Sequence, residues 1–111
     1  MKIFIDFWKP KEAWLKLSKA EREAYMESVG PVMAEMDKKG AITEAWGVNE
    51  DNSPQRADYG FFAIQKFPSD EVMEEFKSLL VQTKWHDYFE QKNLAGENTD
   101  PEIIIGKMID L

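Results

Sequence analysis

Three short segments of this chain are apolar on alternate residues and apolar again on the residues between them. In Lys2 to Trp8, Ile3, Ile5 and Phe7 point one way while Phe4 and Trp8 point the other. In Tyr59 to Phe67, the residues Tyr59, Phe61, Ala63 and Phe67 oppose Phe62 and Ile64. In Glu102 to Leu111, Ile103, Ile105 and Ile109 oppose Ile104 and Met108. A sheet with one solvated face alternates apolar with polar residues, and these segments do not. If they are strands of one sheet, both faces need cover. Two helices suffice for only one face, so something outside the chain, or a long loop, must cover the other, and the economical answer is a second copy packed sheet against sheet.

The remaining elements follow from local signals. Lys2 to Trp8 is closed by Pro10 and reads as the first strand. Ser18 and Glu21 form a capping-box pattern, which starts a helix at Lys19 with Tyr25, Val29, Val32, Met33 and Met36 on one stripe and Gly40 as its stop. Gly30-Pro31 predicts a kink in its middle, and Glu12 to Leu17 a separate helical turn carrying Trp14. Ala41 to Val48 reads as a second strand with Ile42, Glu44, Trp46 and Val48 on one face, followed by a polar loop at Asn49 to Arg56. After the third strand, Ser69 with Asp70 and Glu71 starts a second long helix whose stripe is Val72, Phe76, Leu79, Leu80 and Thr83. An aromatic segment with Trp85, Tyr88 and Phe89 follows, then a polar stretch from Asn93 to Asp100, then the segment Glu102 to Leu111 as fourth strand. The order is βαββαβ. It predicts an α+β ferredoxin-like domain over residues 1–111, a four-stranded antiparallel sheet with helices on one face.

Composition narrows the chemistry. With 111 residues the chain has the size of one domain, and 43% hydrophobic residues are enough for a core. Fourteen basic against 21 acidic residues give a net charge of -7, which disfavours nucleic acid and anionic membrane surfaces. No cysteine is present, so disulfides, thiolate nucleophiles and cysteine-held metals are excluded. His86 is the single histidine, so one chain cannot offer an ion two imidazoles. The glycines are too dispersed for a dinucleotide or P-loop motif. The longest apolar run, Phe61 to Ile64, is far too short to span a bilayer, and Asp6 interrupts the N-terminal apolar residues that a secretory signal would need. The expectation is a cytoplasmic protein.

The element order, the two-faced strands and the segment KWHDYFE at 84–90 resemble the dimeric α/β-barrel superfamily, and FWKPKEAWLKLSKAERE with WHDYFEQKN resembles an uncharacterised bacterial group within it. The resemblance implies a homodimer whose two sheets form one barrel. It includes cofactor-free monooxygenases, muconolactone isomerase-like enzymes, haem-dependent enzymes and small proteins of unknown role, among which fold alone does not choose. Haem-degrading members pair a histidine on the second helix with an asparagine on the first strand and a tryptophan on the third. Here the first strand carries Asp6 and the third has no tryptophan, so no cofactor is expected.

Two residues stand out as candidate acid-base groups. Asp6 sits amid apolar residues on the face of Phe4 and Trp8, where a carboxylate must be paired, protonated or beside a wet cavity. It is either a strand-end aspartate bonded to its surroundings or a base with a raised pKa. His86 is either a helix-end surface group or an acid-base residue at a cavity mouth. Trp8, Glu44, Trp46, Tyr59, Trp85 and Tyr88 are the candidate ligand contacts, and Gln65 and Lys66 add polar groups to an otherwise apolar third strand. The expected function is binding of a small apolar or aromatic molecule in a cavity of each subunit, with cofactor-independent monooxygenase, isomerase or lyase chemistry open to such a site. The alternative is a non-catalytic assembly or regulatory dimer without a ligand site.

Overall fold

The computed structural model describes all residues, 1–111. Strand β1 (Lys2–Pro10) leads through the short helix α1 (Glu12–Leu15) into the long helix α2 (Lys19–Lys38). Strands β2 (Ile42–Val48) and β3 (Phe61–Phe67) follow, then α3 (Asp70–Gln82), α4 (Trp85–Tyr88), β4 (Phe89–Gly96) and α5 (Pro101–Ile109). The sheet order is β2-β3-β1-β4, and every neighbouring pair is antiparallel. This is the ferredoxin-like βαββαβ arrangement, completed by a further helix.

The helices begin and end where backbone chemistry directs. Ser18 Oγ accepts from the Glu21 amide while Glu21 Oε1 accepts from the Ser18 amide, so two free donors at the start of α2 are satisfied reciprocally. At its other end, Gly40 takes φ +91, and the amides of Gly40 and Ala41 donate back to the carbonyls of Asp37 and Met36. Helix α2 is continuous through Pro31. The carbonyl of Glu27, four residues before the proline, loses its intrahelical donor, and Glu27 is exposed to water. Ser69 Oγ caps α3 through the Val72 amide.

One face of the sheet carries the core. Phe4, Asp6 and Trp8 of β1 and Ala63, Gln65 and Phe67 of β3 are buried there beneath Val29, Val32 and Met36 of α2 and Met73, Phe76 and Leu80 of α3. Phe4, Phe67 and Phe76 meet in a three-ring cluster with centroids 5.4 to 5.8 Å apart. The other face presents Ile3, Ile5 and Phe7, Phe62 and Ile64, and Leu94, none of them buried. The two-faced strands therefore place one apolar surface under the helices and leave the other open.

The structure corrects the C-terminal assignment. Glu102 to Leu111 is not the fourth strand: Pro101–Ile109 is helix α5, entered through Asp100 with Pro101 in its first turn. The fourth strand is Phe89–Gly96, which begins at the end of the aromatic segment and runs into the stretch expected as polar loop from Asn93. It pairs with β1 from Ile3↔Gly96 to Pro10↔Phe89, and as an edge strand it tolerates polar side chains. A second correction concerns β2, where a register irregularity between Thr43 and Ala45 breaks the expected alternation. Ile42 pairs with Lys66 on the open face, whereas Trp46 pairs with Ala63 on the core face.

Candidate functional site

The core is not filled. Between the inner sheet face and helices α2, α3 and α4 lies a cavity of about 420 Å³, lined by fifteen residues of which twelve are hydrophobic. Its floor is strand backbone with short or polar side chains: Asp6 of β1 and Ala63 and Gln65 of β3. Val29, Gly30 and Met33 of α2 and Phe76 and Leu80 of α3 form the roof. Trp8, Trp14, Trp85 and Phe89 close one side, and Trp46, Phe61 and Met26, each more than 40% exposed, stand at the mouth.

The aromatic wall is built by contact among rings. Trp8 stacks on Phe61 with centroids 6.1 Å apart and meets Trp46 and Trp85 edge-on at 5.7 and 5.8 Å. Trp85 is fixed in turn, since its indole Nε1 donates to Gln91 Oε1 at 2.8 Å and Gln91 Nε2 donates to Asn93 Oδ1 at 2.8 Å. Trp14 is held between the cavity and a cluster with Tyr25 and Tyr88, where Tyr25 donates its hydroxyl to the Thr83 carbonyl at 2.8 Å.

Two polar side chains lie on the floor, Asp6 at 4% and Gln65 at 2% exposure. Asp6 Oδ1 and Gln65 Oε1 are the buried side-chain polar atoms without a hydrogen-bond partner. Native interiors rarely leave such atoms unmatched, and an unpaired buried acceptor carries a desolvation penalty of about 1–3 kcal/mol. Burial pushes the Asp6 carboxyl up to about 7, and its own backbone amide offsets only part of that rise. No other charged side chain lines the cavity.

Of the residues singled out in the sequence, Asp6, Trp8, Trp46 and Trp85 come together in this lining. The others lie elsewhere. Glu44 is a half-exposed partner of Lys66 at 3.2 Å. Tyr59 packs edge-on against Phe7 at 5.1 Å, beneath the Lys9 ammonium. Tyr88 supports Trp14 from behind. His86 sits in α4 outside the lining, with its carbonyl accepting from Lys11 Nζ at 2.5 Å, and partial burial followed by the Lys11 charge holds its imidazole below the usual range. The cavity therefore presents no imidazole to a haem iron, and the residues present do not fit that cofactor. No group of three or more carboxylates and imidazoles is placed to hold a metal ion. Trp14, Met26 and Met33 are lining residues that helical periodicity describes only as packing, and the Gln91 brace of Trp85 follows from a strand whose polar sequence conceals it.

The fold has known counterparts. A variant chlorite dismutase from Candidatus Nitrospira defluvii aligns with a TM-score of 0.71 at 13% identity, over 95% of this chain and 43% of its own, so this chain spans less than half of that protein. A dabb family protein with a ferredoxin-like fold from Mesorhizobium loti aligns with a TM-score of 0.54 at 9% identity, covering 89% of this chain and 97% of that one. SnoaB, a cofactor-independent oxygenase from Streptomyces nogalater, aligns with a TM-score of 0.50 at 9% identity, covering 89% and 93%. At these identities the likeness is one of fold. No curated protein matches the sequence. The chain belongs, over residues 1–111, to the family described as a family of unknown function, DUF6616.

Proposed function

We propose, for this member of a family without an assigned function, that the chain binds a small, largely aromatic molecule in the cavity between sheet and helices. The observation that carries this reading is the pairing of a large apolar cavity with two unpartnered oxygens on its floor, Asp6 Oδ1 and Gln65 Oε1. A cavity of several hundred cubic ångströms lined by aromatic side chains with a few orienting polar groups is the usual form of a small-molecule site. Trp8, Trp46 and Trp85 supply ring faces to the ligand and Asp6 its polar anchor. Asp6 is also the one lining group able to exchange a proton near neutral pH, so any cofactor-independent chemistry in the cavity runs through it, and His86 takes no part. The open sheet face of Ile3, Ile5, Phe7, Phe62, Ile64 and Leu94 supports a homodimer joined through that face, leaving one cavity per subunit on the far side.

Native mass spectrometry of freshly purified protein tests both parts. The expected species is a dimer near twice 12.9 kDa carrying extra mass, and Ala63→Leu, which extends a side chain from the cavity floor, should lose that mass while remaining folded. A bare monomer contradicts the dimer. A spectrum that stays bare after incubation with naphthylethylamine, with naphthylethanol and with naphthylacetate contradicts the binding site.

A further inference from the structure

The same cavity also selects the charge of its occupant. We propose that the ligand is an arylalkylamine in its ammonium form, with the cationic nitrogen seated against Asp6 and beside the ring of Trp8. This rests on the binding reading above and adds the chemical class. Asp6 is the only acidic or basic side chain in the lining, and the charge it takes on ionising is negative. Both unpartnered buried side-chain atoms are oxygens, which want hydrogen donors. An ammonium supplies donors to both and balances the charge, whereas a phenol or alcohol leaves an ionised Asp6 uncompensated. A carboxylate or phosphate would meet a like charge and the negative faces of the rings.

The walls suit a cation as well as the floor does. Trp8 lies two residues from Asp6 on the same strand face, roughly 7 Å along the backbone, and Trp46 and Trp85 flank it. Tryptophan is the best aromatic partner for an organic cation, most of all where water is excluded. The net charge of -7 adds a long-range attraction for positive ligands. Besides Asp6 the lining holds only tryptophan, phenylalanine, aliphatic, methionine and glycine residues and the amide of Gln65, and the residues paired with Asp6 across the sheet are Ala63 on β3 and Asn93 on β4. None of them titrates, so the pH response of binding belongs to Asp6 alone.

Calorimetric titration with three probes sharing one ring tests the assignment: naphthylethylamine, naphthylethanol and naphthylacetate. At about pH 8.5, where the carboxyl is ionised and an alkylamine still protonated, the amine should bind at least tenfold more tightly than the alcohol, and the acetate most weakly. The preference should collapse at about pH 5.5 in the unmodified protein and at all pH values in Asp6→Asn. Equal affinity for amine and alcohol at the higher pH overturns the charge assignment while leaving the aromatic site intact. Failure of all three to bind overturns both.

Discussion

At the scale of single residues, Asp6 dominates. Its carboxyl is pushed up to about 7 from an unfolded value of 3.8 by burial. Between those values the folded chain holds a proton that the unfolded chain has released, so stability falls as pH rises through the window and levels off above it. The loss is on the order of 4 kcal/mol between the two limits. Thermal or urea unfolding should therefore show a less stable protein at pH 8 than at pH 5. Asp6→Asn should flatten the profile and raise stability at the alkaline end by about 1–3 kcal/mol, because an uncharged amide is cheaper to bury. A profile that rises with pH instead would mean that Asp6 has a cationic or donor partner in the folded chain. Gln91 offers a contrasting case. Gln91→Leu leaves the Trp85 indole N–H without its acceptor and should cost about 1–2 kcal/mol in urea unfolding, with a shift in tryptophan emission.

At the scale of elements, legibility tracks how local the determining physics is. The start of α2 was legible because the Ser18 and Glu21 capping box is a three-residue interaction, and Ser18→Ala should cost about 1 kcal/mol by thermal unfolding. The end of α2 was equally legible: Gly40 at φ +91 has room for a methyl group near Pro68, so Gly40→Ala should lose about 1 kcal/mol through backbone conformation alone. The strands β1 and β3 announced themselves by apolar residues in every register. The fourth strand did not, because β4 draws its place from pairing with β1, a contact of long sequence separation, and its exposed residues Lys92, Asn93 and Leu94 carry no alternation. Three consecutive isoleucines made Glu102 to Leu111 look like that strand, whereas Asp100-Pro101 was the local signal for a helix start. The cavity was half legible for the same reason. Asp6, Trp8, Trp46 and Trp85 were visible as polar or aromatic residues in unusual places, while Trp14 and Met33 join them only through the packing of helices on the sheet.

The whole molecule consists of a closed half and an open half. The helix-covered half holds the core and the cavity. Apart from it stand the outer sheet face and α5, which buries none of its nine residues although Ile103, Ile104, Ile105 and Met108 lie on it. The radius of gyration, 16.1 Å, exceeds the roughly 13 Å of a compact domain this long, as suits a body with an unpacked arm. Removal of residues 101–111 should therefore leave circular dichroism of the sheet and the cavity's probe binding unchanged within a single subunit, since no core contact is lost. The pKa of Asp6 is itself a property of this whole arrangement, because sheet, helices and aromatic wall together keep water from one carboxylate. NMR titration of the Asp6 side-chain carboxyl, with and without naphthylethylamine, therefore measures the account most directly. The free protein should titrate near 7 and the amine should draw the midpoint down, whereas a free-protein midpoint near 4 would show a solvated carboxylate and contradict a buried, unpartnered Asp6 as the cation's seat.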